Sequence, residues 1–152
     1  MKIAYVGERN PERKLLVFIQ ATPTADEPRH VTAHRRPLPM RLQVMNHSPS
    51  GFECGYEGSG PAQLALAICA DHFVRNELRA ESAALLLEDF EPRDTLENRM
   101  AVMIHQDFKR AIVASLPRVG GWTITEEQVA RALDTLIASR VAAHQSAKRV
   151  AS

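Results

Sequence analysis

Within the run Asn46-His47-Ser48-Pro49-Ser50-Gly51-Phe52-Glu53 the chain places an imidazole, a hydroxyl and a carboxylate close together. These are the ingredients of a base, a nucleophile and an orienting acid. Closeness in sequence does not make them converge, and Ser59 lacks the G-x-S-x-G spacing of a nucleophile elbow. His47 and Ser48 therefore read first as turn residues that bond local backbone before Pro49, and no catalytic residue is assigned. Gly55, Gly58, Ser59 and Gly60 follow as a strand-to-helix turn. Free backbone N–H groups at such a turn, backed by a helix dipole, can hold an anion. Its ligand-binding residues would be His47, Ser48, Glu53, Tyr56, Gly58, Ser59 and Gly60. The spacing matches neither a P-loop nor a dinucleotide fingerprint, so the simpler expectation is that Ser59 caps the helix and the glycines permit tight packing. Cys69 and His72 lie three apart on the expected helix and could offer two metal ligands, with Cys54 or His105 elsewhere. Without a second paired motif they read as a buried thiol and a helix-end imidazole, and neither metal nor cofactor is expected.

Charge is distributed in blocks. Arg29, Arg35, Arg36 and Arg41, with His30 and His34, concentrate positive charge in a proline-rich region. Arg140, His144, Lys148 and Arg149 do the same near the end of the chain. Either group could touch phosphates, yet no helix-turn-helix, zinc-finger or RNA-recognition pattern accompanies them. Glu81, Glu88, Asp89, Glu91 and Asp94 form the opposite block, an expected acidic helical face that could dock on a basic groove of a partner.

These side chains need elements to position them. Ile3 to Val6 and Leu15 to Ile19 read as a hairpin turned at Asn10-Pro11, and four prolines between Thr22 and Pro39 predict a loop or interrupted edge strands. Met40 to Met45 and the alternation Phe52, Cys54, Tyr56 predict two further strands, giving a mostly antiparallel sheet of about four. From Pro61 helix formers take over, and Leu64 to Cys69, apolar all round, mark a central helix. A helix is expected over Leu78 to Phe90, and another after an Asp94/Glu97 capping box, running to Pro117. Thr125 with Gln128 predicts the cap of a last helix, stapled by Ile124 and Val129. The fold class is α+β: a small N-terminal sheet packed on three to four helices, one domain over 1–145 and a frayed basic tail over 146–152.

The bulk numbers agree with one core. The chain has 152 residues, is 45% hydrophobic and 24% charged, and carries a formal net charge of +1, so a basic function must be a local patch. Two cysteines suit a reducing compartment, and neither a signal peptide nor an apolar run near 20 residues is seen. A soluble protein of the bacterial cytoplasm, away from membranes, is expected.

The run "NHSPSGFECGYEGSGPAQLALA" (Asn46 to Ala67) resembles the signature of an uncharacterised family, a domain of unknown function common in phages, plasmids and other mobile elements. Gln106-Asp107-Phe108-Lys109, Ser115-Leu116-Pro117 and Trp122-Thr123-Ile124 resemble its closing pattern, so the likeness extends from about Met40 to Leu133. Cys54 stands where the family usually has tryptophan, and Glu57 where it usually has glycine. Arg75 to Asn98 is longer than in typical members. The resemblance implies a fold and a mobile-element origin and no reaction. Together with the acidic block it leads to the expected function: a non-enzymatic accessory protein that binds and inhibits a host protein or nucleoprotein complex, in its most concrete form an anti-CRISPR type inhibitor. The alternatives are a small hydrolase or nucleotide- or anion-binding domain using the Gly-rich turn, and a DNA-binding accessory protein. A homodimer through the acidic or C-terminal helix is compatible with each.

Overall fold

The computed structural model describes residues 1–76 and 95–151. Strand β1 (Lys2–Arg9) and strand β2 (Leu15–Thr22) form the expected antiparallel hairpin, with Tyr5 opposite Ile19 and Gly7 opposite Val17. Alternation decides the faces: Leu15, Val17, Ile19 and Ala21 are buried, while Leu16 and Thr22 face outward. The connecting turn closes through Asn10, whose side-chain oxygen accepts from the Lys14 N–H at 2.8 Å. Strand β3 (His34–Pro37) is the edge strand foreseen in the proline-rich region, paired with β2.

Helix α1 (Ser59–Arg75) is buried continuously from Gly60 to Phe73, as its all-round apolar pattern requires. Helix α2 (Leu96–Ala111) packs along it, and one core joins Tyr5, Val17 and Ile19 of the sheet to Leu64, Leu66 and Ile68 of α1 and to Ile104 and Phe108 of α2. Strand β4 (Trp122–Thr125) then returns to the sheet and pairs with β1, giving the antiparallel order β3-β2-β1-β4. Helix α3 (Glu126–Ala151) follows directly, and its start carries the predicted reciprocal cap: Gln128 N–H donates to Thr125 Oγ1, and Thr125 N–H to Gln128 Oε1. Ile124 and Val129 are both buried beside it.

The α+β class is as expected, four antiparallel strands and, among the described residues, three helices, but the strands are drawn differently. Met40–Met45 is no strand. The Met40 and Met45 carbonyls accept from the Gln63 side chain, and the chain turns at Arg41 (φ 61°). Phe52 to Tyr56 makes a single bridge, Leu15 to Phe52, because Gly51 (φ 145°) and Gly55 (φ 83°) bend it away and the Gly55 N–H donates to the Val113 carbonyl. The fourth strand comes instead from 122–125. Its four residues alternate buried and exposed, too brief a pattern to stand out beside the cap that follows it. The cap of α2 is Thr95, accepting from the Asn98 N–H, not Asp94. That helix ends at Ala111, followed by a 3-10 turn over Val113–Ser115, and does not reach Pro117. Helix α3 runs to Ala151 and is exposed over its last turns. The acidic helix expected over Leu78 to Phe90 lies outside the described residues. No described helix is long and apolar enough to cross a membrane.

Candidate functional site

The start of α1 is preceded by Gly58, which makes no side-chain cap, and Ser59 is the first helical residue, so Ser59 does not cap the helix as expected. The packing role of the glycines is real. A Cβ on Gly60 would lie 2.6 Å from the Glu53 Cβ, so the Glu53 stem already occupies the space before the first turn. Arg9, at the end of β1, binds the Glu53 carboxylate in bidentate fashion, with both contacts at 2.8 Å. That hydrogen-bonded pair holds the Glu53 carboxyl below its ordinary range against the opposing effect of burial.

The fold brings Ser48, Glu53, Tyr56, Ser59 and Gly60 to one concavity of about 430 Å³, together with Lys14 of the hairpin turn. Glu53 and Tyr56 also border a second concavity of about 550 Å³, whose other walls are Arg9, Arg13, Arg118 and Val119. Arg118 lies over the Tyr56 ring at 4.8 Å from its centroid. The ring also lies close to Gly58, where a Cβ would come within 2.7 Å of it.

His47 does not line either concavity. Its Nε2 faces Nε2 of His105 at 2.9 Å. His105 Nδ1 is 2.6 Å from the Val102 carbonyl and so carries a proton, which leaves its Nε2 to accept from His47 Nε2–H. Burial lowers the pKa of both rings, and the charge of Lys109 adds to the effect. The backbone N–H groups of His47 and Ser48 both donate to Gln63 Oε1, at 2.7 and 3.1 Å, while Gln63 Nε2 donates to Met40 and Met45. This fully buried glutamine thus uses every polar position it has, and it fixes the loop that carries the candidate residues.

At the other end of α1 lies a second polar cluster. Tyr5 donates to Asp71 at 2.7 Å, Arg75 Nε reaches the same carboxylate oxygen at 2.7 Å, and His72 Nδ1 is 2.5 Å from Glu126. Burial would raise the Glu126 carboxyl, but the hydrogen bond and charge of His72 outweigh it and leave the group below its usual value. Burial also drives the Tyr5 phenol far above its ordinary range. The imidazole considered as a metal ligand with Cys69 is therefore turned to Glu126, while Cys69 sits wholly in the core, its thiol pKa raised by burial. No group of three or more metal-binding side chains occurs among the described residues. Cys54 is also fully buried, its thiol 3.3 Å from the Pro117 carbonyl.

Two of the four arginines read as one basic patch are engaged by neighbouring side chains. Arg35 and Arg36 sit on opposite faces of β3, the first bound to Glu8 and stacked on Phe18, the second 3.8 Å from Asp71. Arg29 is exposed in the preceding loop, and Arg41 turns the chain at a positive φ. Glu81, Glu88, Asp89, Glu91 and Asp94 lie outside the described residues. Sequence reasoning missed Arg9, Arg13, Lys14, Arg118 and Gln63. Of these only Gln63 left a signal, a polar residue inside an otherwise apolar helical run.

A small antiparallel sheet thus carries a buried helix, with a glycine-rich turn and an aromatic–arginine contact at that helix's start. The chain belongs to DUF6166, a family of unknown function whose model matches residues 5–92. That span takes in all but the first three residues of the hairpin, and α1, and stops short of the closing pattern read at 106–124. No curated protein and no solved structure matches the chain.

Proposed function

We propose that this protein acts by occupying a partner, a host protein or nucleoprotein complex, and not by turning over a substrate. The observation that carries this reading is how the reactive side chains are engaged: both Glu53 oxygens by Arg9, and His47 Nε2 by His105. A carboxylate held below its ordinary range is a weak base, and a general base must reach the proton that it abstracts. The signature's likeness to mobile-element proteins supplies the setting, and inhibition of a bacterial defence complex such as a CRISPR effector is its most specific form. Affinity capture of the tagged protein from a bacterial lysate, with and without nuclease, is expected to retain a defined complex. Retention of nothing would overturn the reading. A small-ligand function is the second reading, favoured by the two concavities that meet at Tyr56. Calorimetric titration with nucleotides separates the two, because a preformed ligand site releases heat and an occupied structural turn stays silent.

A further inference from the structure

We infer that the two concavities bordered by Tyr56 are a docking surface for single-stranded nucleic acid, held through its phosphates. The inference rests on the occupation reading and names the chemistry of the partner. The two concavities share Glu53 and Tyr56 as walls; Lys14 lines one of them, and Arg13 and Arg118 line the other. Among the described residues, several arginines are ion-paired: Arg35 with Glu8, Arg75 with Asp71, and Arg110 and Arg140 with Asp107. Arg13, Lys14 and Arg118 make no salt bridge there, and the one carboxylate lining the concavities, Glu53, is clamped by Arg9. Glu12 and Glu57 are exposed nearby without lining them.

The glycines of the turn give this surface its form. Gly58 seats the Tyr56 ring, and Gly55 leaves room for the Arg118 stem, where a Cβ would lie 2.2 Å from Arg118 Cγ. The guanidinium is thereby held over the ring before any partner arrives, beside Val119, which is 89% exposed. A planar guanidinium accepts a stacked base on its free face, and bases offer that face only when unpaired. The cations come from two separate segments, the hairpin turn and the loop at 118, so a strand of several phosphates can engage both.

The test is fluorescence anisotropy of a labelled oligothymidylate of about 15 nucleotides, a length suited to one single-strand site, titrated across a range of salt. The triple variant Arg13→Ala/Lys14→Ala/Arg118→Ala is expected to bind at least about ten-fold more weakly. Its log–log salt slope should fall by about 2, at about 0.7 per phosphate contact. Arg118→Lys, which keeps the charge and loses the plane, is expected to fall between, and Arg131→Ala on α3 to bind as the parent does. The substituted residues are on the surface, so unchanged far-UV circular dichroism should accompany each variant. No binding by the parent at low salt, equal binding by the triple variant, or tighter binding of polyglutamate would each overturn the inference. If a nuclease-resistant complex is still captured from lysate in that case, the occupation reading survives and only its nucleic-acid partner falls.

Discussion

His47 and His105 meet through a single hydrogen bond, and geometry limits how many protons that pair can hold. Both rings are neutral in the arrangement described, and each has its pKa lowered by burial, with Lys109 adding repulsion. In the unfolded chain both return toward the ordinary histidine value of about 6.5. Below that value the unfolded state binds more protons than the native state, so stability falls as the pH drops through it toward the native values. Urea midpoints measured at pH 7.5 and pH 5 are expected to show this loss, and His47→Gln/His105→Gln should flatten the dependence over the same interval. Little of this was legible in the sequence. His105 stood out only as a spare metal ligand for Cys69 and His72, and Glu53 was visible while its partner Arg9, forty-four residues earlier, was not. Pairs so far apart become readable only once the register of β1 is known.

At the scale of elements, Gln63 alone makes four hydrogen bonds between α1 and the 40–48 loop. Gln63→Leu keeps the volume roughly constant but leaves the His47 and Ser48 N–H groups and the Met40 and Met45 carbonyls without their partner. A buried polar group stranded in this way costs about 1–3 kcal/mol. Because the loop is half-buried and part of it rehydrates, a net loss of about 2–4 kcal/mol is expected, read as a lower urea midpoint. The same glutamine explains why Met40–Met45 misled: its apolar residues pack inward as a strand's would, but two of its carbonyls are bonded to a helix side chain. The hairpin, α1 and the Thr125/Gln128 cap were legible because their signals are local, in alternation, apolar periodicity and capping spacing. Strand β4 was not, because its place is fixed by a remote pairing in which Gly7 makes room for Trp122; a Cβ on Gly7 would lie 2.2 Å from the indole.

Across the whole molecule, the family match ends at residue 92 while the core does not. Met100, Ile104, Phe108, Val129 and Leu133 are all fully buried beyond that point, and Ile124 nearly so. A chain cut after residue 92 is expected to lose cooperative unfolding and to bind a hydrophobic dye, since the inner faces of α1 and the sheet would be left uncovered. A sharp urea transition in that fragment would show that the later helices are additions to a self-sufficient core. The pairing of β1 with β4 also sets a timetable for synthesis. One edge of β1 is taken by β2 almost as soon as it is made, but the other waits for Trp122 to Thr125. At translation speeds of about 5–20 residues per second, that wait lasts about 6–24 s. An unpaired strand edge is a template for neighbouring chains, so crowding on a polysome or a stalled ribosome exposes this protein to misassembly at its first strand, before its last helix has been made.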